Sequence, residues 1–311
     1  APMELGLMVE PQVGGSYARL RELARWAEGQ GLDAFARSDH YMDQGTSAPV
    51  TDALTSFGGL AEVTTSIQLV VLMTPLTFRH PAVLAKTATT LDEMTGGRFA
   101  LGIGTGWMQE EHDALGIDLP TLGERFDRLG ETLAYLRAAF GGSEGFSGEH
   151  YHLDPIAVLP RPMNVPIIVG GGGMKKTPSF AGRFADEYNM FVTDRDTLEQ
   201  RLTVMRSAAT EAGRDPEEVK VSFAGPALVA SSEAEYGAIL AERGSKRDMS
   251  ASEYEAFLAE RNVPRGTHDQ VAAIVSDLAA MGIGRFYVQQ YAALDDVDTT
   301  ELAPVFRALR G

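Results

Sequence analysis

The stretch TGGRFALGIGTGW, residues 95–107, reads as a buried strand that ends among glycines. Its apolar run is typical of a strand that is covered on both faces. Three glycines alternate with other residues at the end of this strand: Gly102, Gly104 and Gly106. Trp107 follows them directly. Either a tight turn into the next helix or a ligand that needs the space of a side chain would explain glycines here.

Strand-like and helix-like segments alternate on both sides of this stretch. Eight segments predict strands, at residues 5–10, 32–40, 67–75, 98–104, 165–171, 187–192, 220–228 and 285–290. The helix-like segments are 16–30, 52–63, 81–97, 122–140, 175–184, 195–212 and one that begins after Thr267, where Gln270 completes a capping-box pattern. Eight strands alternating with helices favour a closed α/β fold, the (β/α)8 TIM barrel, over an open doubly wound sheet.

One segment does not fit this alternation. Residues 232–261 are helical in pattern but charged and extended, which indicates an element added to the barrel. No low-complexity linker divides the chain, and no repeat of about 30–45 residues indicates a solenoid. We therefore expect a single domain over residues 1–311.

The composition limits the classes of function. The 311 residues carry a formal net charge of −16, from 43 acidic and 27 basic side chains. Nucleic acids and anionic membranes require a positive surface field, so we expect neither as a partner. The absence of cysteine excludes disulfides and thiol catalysis. No apolar signal stretch opens the sequence and no run approaches the ~18 apolar residues of a membrane span, so we expect a cytoplasmic enzyme that acts on a small molecule.

The stretch RSDHY, residues 37–41, ends the second predicted strand. In a barrel of this kind, ligands bind at the carboxyl ends of the strands. His40 could therefore move a proton near neutral pH beside Asp39. Alternatively, Asp39 caps a helix and His40 is a hydrogen-bonded structural residue. A metal site is not expected, because the remaining histidines do not supply an H-x-H or H-E-x-x-H pattern.

The stretch VGGGGMKKT, residues 169–177, follows an apolar strand and opens a helix. Glycine amides and a helix N-terminus attract an oxyanion, and Lys175 and Lys176 add full positive charges. The stretch has neither the Walker A spacing nor the G-x-G-x-x-G fingerprint. It indicates either a phosphate site or a flexible turn with exposed lysines.

The stretch GWMQEEHDALG, residues 106–116, reads as a turn of helix on the surface. Charged residues on such a turn are ordinarily solvated. We therefore predict that Glu110 and Glu111 are solvated and not catalytic.

Together these stretches resemble the bacterial luciferase-like family of flavin- and deazaflavin-dependent barrel enzymes. The resemblance is carried by SDH after the second strand and by three longer segments, at 77–116, 159–173 and 266–289. It extends from about residue 5 to residue 310 and is weakest over 232–264 and near 41–51.

The resemblance implies a barrel that holds a flavin or deazaflavin ring at its mouth. His40 would be the acid or base beside the hydride-exchanging carbon, and a non-prolyl cis peptide would lie near Val71–Leu72. Trp107 and Tyr41 would border the substrate pocket. The implied cofactor contacts are Asp39, Val71, Leu72, Met73, Thr74, Gly104, Gly106, Gly171, Gly172, Gly173, Met174, Lys175 and Lys176.

The sequence SDH resembles the coenzyme F420 branch of the family more than the FMN monooxygenases. The glycine loop and its lysines would fit the phosphate and carboxylates of the F420 tail. In the sugar-phosphate dehydrogenases of this branch an acidic residue follows the glycines of the fourth strand, whereas this chain has Trp107. The resemblance therefore implies an F420-dependent oxidoreductase that acts on a small apolar or aromatic substrate. A reduced-FMN monooxygenase and a non-catalytic flavin-binding barrel are the alternatives, and members of the family often form homodimers.

Overall fold

The computed structural model describes residues 2–45, 48–142, 145–155, 160 and 162–311. Eight parallel strands form a barrel: β1 (Glu4–Val9), β2 (Ala34–Arg37), β3 (Gln68–Pro75), β4 (Phe99–Gly104), β5 (Ile167–Gly170), β6 (Glu187–Phe191), β7 (Lys220–Gly225) and β8 (Arg285–Gln290). Each strand pairs with the next, and β1 pairs with β8, so the sheet closes on itself. The predicted (β/α)8 barrel is confirmed.

Helices connect successive strands and cover the outside of the barrel. They are α1 (Tyr17–Gly29), α2 (Ala53–Val63), α3 (Pro81–Thr95), α4 (Gln109–Leu115), α5 (Leu122–Gly141), α6 (Lys176–Phe184), α7 (Arg195–Glu211), α8 (Glu233–Ser245), α9 (Ala251–Glu260), α10 (His268–Ala280) and α11 (Thr299–Arg310). At the start of α10 the backbone N–H of Thr267 donates to Gln270 Oε1 at 2.8 Å, as the capping-box pattern predicts.

The barrel has two apolar layers, because successive side chains of a strand point to opposite faces. Inside the barrel, small and medium side chains such as Ala36, Val70 and Leu72 fill the interior. Outside it, side chains such as Phe35 and Val71 pack against the helices. This arrangement explains why the strands are apolar on both faces.

Most predicted strands and helices lie where the sequence analysis places them, within about three residues at each end. Strand β2 ends at Arg37, so Ser38, Asp39 and His40 lie in the loop that follows it. The charged segment 232–261 is helical, as predicted, and forms two helices, α8 and α9. These helices pack on a separate apolar cluster beside a short parallel pair, Leu228–Ala230 with Arg265–Thr267.

A second short pair of strands follows α5. Phe146–Ser147 pairs with His152–Leu153, and the two strands are antiparallel. Within the segment 159–173, Leu159 and Arg161 lie outside the described residues. None of the helices in the described ranges is both long and apolar enough to cross a membrane.

Candidate active site

A cavity of about 330 Å³ opens at the carboxyl ends of the strands. Its volume is at the lower end of the range for small-molecule pockets, about 300–1,000 Å³. Nine residues predicted from the sequence line it: His40, Leu72, Met73, Thr74, Gly104, Gly106, Trp107, Gly171 and Gly172. Seven others do not line it: Asp39, Tyr41, Val71, Gly173, Met174, Lys175 and Lys176.

His40 lies at the wall of this cavity and is held by a buried carboxylate. Its Nδ1 lies 3.0 Å from Glu111 Oε2, and Glu111 is only 1% exposed. The other oxygen of Glu111 accepts the backbone N–H groups of Tyr41 and Met42. The prediction that Glu111 is solvated is therefore wrong, because α4 turns this side chain inward against the loop after β2. Its neighbour Glu110 is exposed, as expected.

The contact with Glu111 fixes the chemistry of the imidazole ring of His40. A carboxylate accepts only, so Nδ1 carries the proton of that hydrogen bond, and Nε2 has no partner among the described residues. Burial lowers the pKa of His40, but the hydrogen bond and charge of Glu111, with the charges of Glu10 and Asp39, outweigh burial and raise it above its usual value. Nε2 is therefore the atom that can take up or release a proton.

A second histidine of the cavity, His112, is arranged differently. Its Nδ1 donates to the carbonyl oxygen of Met108 at 2.7 Å, and Thr77 Oγ1 donates to its Nε2 at 2.7 Å. Both ring nitrogens are therefore occupied within the protein. His112 stabilises the start of α4 and has no free nitrogen for proton transfer.

Asp39 is fully buried and is part of an ion-pair network behind His40. Arg79 donates to Asp39 Oδ2 at 2.6 Å and to Asp52 Oδ1 at 2.7 Å. Burial raises the pKa of Asp52, but hydrogen bonds from Tyr41 and Thr55 and the charge of Arg79 lower it to about 2. Asp39 Oδ1 is buried and has no hydrogen-bond partner among the described residues.

Tyr41 belongs to this network and does not border the cavity. Its hydroxyl donates to Asp52 Oδ1 at 2.7 Å, and its ring stacks on Phe78 with centroids 4.7 Å apart. Burial and the hydrogen bond to Asp52 raise the pKa of Tyr41 well above its usual value. The prediction that Tyr41 borders the substrate pocket is therefore not supported by its position, because its ring turns away toward Phe78.

The end of β3 carries a non-prolyl cis peptide, and it joins Leu72 to Met73. The bond lies one residue later than the predicted Val71–Leu72, and the pairing of β3 with β4 shifts between Val71 and Thr74. Val71 packs in the layer between the barrel and the helices, which explains why it does not line the cavity.

Close packing explains two of the three alternating glycines in the stretch 95–107. A Cβ on Gly104 would lie 3.1 Å from Met73 Sδ. A Cβ on Gly102 would collide with the carbonyl oxygen of Val71 and would lie 3.1 Å from Met73 Cβ, and a Cβ on Gly170 of β5 would collide with Met73 Cε and with the carbonyl oxygen of Asn189. Gly106 has a φ of +78°, which favours glycine, so it serves the turn into α4. We call Gly102, Gly104 and Gly170 the Met73 cradle.

The glycine loop after β5 reaches the cavity with only its first residues. Gly171 and Gly172 line the cavity, and a Cβ on Gly172 would meet nothing within 4 Å. Lys175 and Lys176 instead line a separate hollow on the outer surface with Phe126 and Phe180. Lys176 Nζ lies 5.2 Å from the centre of the Phe126 ring. Neither lysine lines the cavity.

Several polar groups of the cavity were missed by the sequence analysis. Glu10 is 4% exposed, and it accepts hydrogen bonds of 2.7 Å from Gln12 Nε2 and from Gln289 Nε2. Asn189 lines the opposite side and donates to Ser222 at 2.9 Å. Glu10 comes directly after β1 and Asn189 belongs to an apolar strand, so their placement next to hydrophobic runs was the available signal.

The mouth of the cavity is aromatic. Trp107 is 59% exposed and Phe191 is 62% exposed, and both line the cavity. The Trp107 ring meets the His40 ring edge-on, with centroids 5.8 Å apart. Large exposed apolar side chains at a cavity are typical of a binding site.

The described residues fit a bound flavin or deazaflavin ring. Leu72 and Met73 give the cavity an apolar wall, and the open space beside Gly172 leaves room at the glycine loop. Within the described ranges, no group of three or more histidine, aspartate or glutamate side chains could hold a metal ion.

Known proteins resemble this chain over most of its length. Residues 3–285 match the model of the luciferase-like monooxygenase family. The F420-dependent glucose-6-phosphate dehydrogenase of Nakamurella multipartita is 34% identical over 245 residues, which cover 71% of this chain and 68% of the dehydrogenase. The pyrimidine monooxygenase RutA of Stutzerimonas stutzeri is 34% identical over 141 residues, which cover 44% of this chain and 39% of RutA.

Solved structures share the fold. An F420-dependent secondary alcohol dehydrogenase in complex with an F420–acetone adduct matches 100% of both chains with a TM-score of 0.76 and 19% identity. The oxygenating constituent of 3,6-diketocamphane monooxygenase from Pseudomonas putida, in complex with FMN, also has a TM-score of 0.76 and 19% identity, and the match covers 100% of this chain and 97% of that one. The fold is thus shared equally with an F420 enzyme and an FMN enzyme. Because the family model covers nearly the whole barrel, this chain belongs to the luciferase-like monooxygenase family and is an oxidoreductase.

Proposed function

We propose that this chain is a coenzyme F420-dependent oxidoreductase that transfers a hydride between the deazaflavin and a small, uncharged apolar or aromatic substrate. The observation that carries the proposal is the pairing of His40 Nδ1 with the buried Glu111 at the wall of the cavity. The pairing leaves Nε2 as a proton acceptor or donor where a substrate oxygen would lie. A glucose-6-phosphate dehydrogenase that uses F420 is 34% identical, which supports the choice of cofactor.

The cavity divides into parts that suit the ring, its tail and the substrate. Leu72, Met73, Thr74 and Gly104 would contact the ring. Gly171 and Gly172 would meet the phosphate of the tail. Asp39 does not line the cavity, and its ion pair with Arg79 would position the loop that carries His40.

His40 performs the proton transfer in this proposal. The deazaflavin supplies or accepts the hydride. When an alcohol is oxidised, His40 Nε2 takes the hydroxyl proton as the hydride leaves the carbon, and Glu111 stabilises the resulting imidazolium. When a carbonyl or activated double bond is reduced, the protonated ring returns that proton. His40 therefore serves either direction of hydride transfer.

The lining of the cavity favours an uncharged substrate. Among the described lining residues there is no lysine or arginine, whereas Glu10 and Glu111 are acidic. A sugar phosphate would place its charge against these carboxylates without a partner. The rings of Trp107 and Phe191 at the mouth favour apolar or aromatic groups. We therefore do not expect glucose-6-phosphate to be a substrate.

A reduced-FMN monooxygenase is the second candidate, because the FMN-bound monooxygenase has the same TM-score as the F420 enzyme. Titrations of the purified protein with F420 and with FMN, followed by tryptophan fluorescence, separate the two. The Trp107→Phe variant tests whether the quenching comes from the mouth, since the other tryptophan, Trp26, packs on Phe306.

We expect F420 to bind more tightly and reduced FMN to cause no oxygen consumption. Tighter binding of FMN with oxygen uptake would replace the proposal by the monooxygenase. Binding of neither compound would contradict both.

A further inference from the structure

A buried arginine lies behind the glycine loop, outside the cavity. Arg201 belongs to α7 and is only 9% exposed. It lies on the inward face of the helix with the apolar residues Leu198, Leu202 and Met205. A charged group on such a face is unfavourable unless something compensates its charge.

The protein itself compensates this charge poorly. Arg201 Nη2 donates to the carbonyl oxygen of Gly172 at 2.7 Å, and Nη1 lies 3.9 Å from Met190 Sδ, which is a weak acceptor. Arg201 Nε is buried without any partner. In the described part of the chain no carboxylate lies within ion-pair distance of Arg201. The guanidinium thus has a single strong acceptor, a backbone carbonyl.

That carbonyl belongs to the loop that lines the cavity. The peptide bond between Gly172 and Gly173 is trans, so its N–H points away from its carbonyl. Because the carbonyl faces Arg201, the N–H of Gly173 faces away from α7. The backbone N–H groups of Gly172 and Gly173 donate to no residue within the described ranges. The arginine therefore fixes a loop peptide with its donor side free.

Arg201 also places a positive charge beside the glycine loop, where an anionic ligand would require one. Lys175 and Lys176 lie in the outer hollow with Phe126, away from the cavity. The chain carries a net charge of −16, so an anion at the loop requires a fixed local positive charge.

We propose that Arg201 is the positioning residue of a phosphate site at the glycine loop: it holds the Gly172 carbonyl and compensates the ligand's charge from behind the loop. The ligand class is a phosphate ester. This inference rests on the proposed function only in taking that ester to be the coenzyme's.

The experiment compares ligands with and without the phosphate. Wild type, Arg201→Met and Arg201→Lys are titrated with F420 and with the same deazaflavin lacking the phosphate ester, and likewise with FMN and riboflavin. We expect Arg201→Met to weaken binding of the phosphorylated ligand about 30-fold while the unphosphorylated ligand changes less than about threefold. Arg201→Lys keeps the charge and should recover part of the loss. Arg206→Met on the exposed face of α7 is the matched control and should match wild type.

A second measurement does not depend on catalysis. Because Arg201→Met removes an uncompensated buried charge, we expect the unliganded variant to melt no lower than wild type, whereas a merely structural arginine would lower the melting temperature. Inorganic phosphate should raise the melting temperature of wild type more than that of Arg201→Met.

The outcomes separate this inference from the proposed function. If wild type prefers the phosphorylated ligand and Arg201→Met keeps that preference, the role of Arg201 is refuted while the proposed function stands. If wild type binds phosphorylated and unphosphorylated ligands equally, the phosphate site is refuted. If Arg201→Met does not fold, its structural role is the larger one and the inference is overturned, unless Arg201→Lys folds and loses the phosphate preference. If wild type binds no deazaflavin but prefers FMN over riboflavin, the proposed function fails and the phosphate site stands.

Discussion

Replacing Glu111 by glutamine tests how His40 is held. The substitution keeps the volume of the side chain and removes its charge. A glutamine amide can donate to Nδ1, which would move the ring proton to Nε2 and leave no basic nitrogen toward the cavity. Burial of His40 would remain while the strongest stabilisation of its charged form disappears, so the pKa of His40 should fall relative to wild type.

The expected loss of rate follows from this one contact. A hydrogen bond to a charged group contributes about 1.5–3 kcal/mol, which corresponds to about 10- to 150-fold in rate. Glu111 contacts His40 at 3.0 Å and is 1% exposed, so little solvent screening reduces this value. We expect kcat to fall within that range. Coenzyme affinity should change little.

The assay is the pH dependence of kcat and kcat/KM with F420 and an alcohol substrate. The acidic limb, where His40 becomes protonated, should move to lower pH in Glu111→Gln. Glu110→Gln is the matched control, since Glu110 is the exposed neighbour on the same helix. An unchanged pH profile and kcat in Glu111→Gln, or an equal loss in Glu110→Gln, would refute the reasoning.

Three further substitutions test other parts of the site. His40→Ala should lower kcat by about 10²–10⁴-fold while the Kd for the coenzyme stays within a few fold, and unchanged turnover would remove His40 from the mechanism. Gly172→Asp places a carboxylate in the open space at the loop and should abolish coenzyme binding in a fluorescence titration, whereas Gly123→Asp on α5, also in open space, should bind normally. Arg79→Met leaves the buried Asp39 without its partner and should lower the free energy of unfolding in urea by about 3–5 kcal/mol; a loss below about 1 kcal/mol would contradict the importance of this ion pair.

The fold could be predicted because its signals are local and repeated. Strand β8 has the predicted bounds, 285–290, since an apolar run between a glycine turn and polar residues leaves one register. The segment 232–261 was predicted to be helical, and the structure divides it between α8 and α9. Arg247 and Asp248 lie in the turn between them, and neither residue is a strong helix breaker. Charged residues alone gave no sign of that turn.

The sequence predicted which strand ends form the site, but it did not predict the contacts that residues distant in sequence make there. The residues at strand ends, such as His40 and Gly104, follow from the barrel topology. Glu111 could not be distinguished from Glu110, because α4 has seven residues and too few turns for a clear apolar face. Arg201 reads as one polar residue on a long helix, and only the tertiary structure brings it to Gly172. Contacts between distant segments have no periodic signal in a single sequence.

In the Met73 cradle, Gly102 and Gly104 of β4 and Gly170 of β5 all lie against one side chain, Met73 of β3. Only Gly104 is limited mainly by that side chain, since a Cβ on Gly102 or Gly170 would also collide with a backbone oxygen, of Val71 or of Asn189. A larger residue at 104 and a shorter one at 73 should therefore have non-additive effects on stability. A library that reshapes this cavity should vary Met73 together with Gly104 and leave Gly102 and Gly170 unchanged.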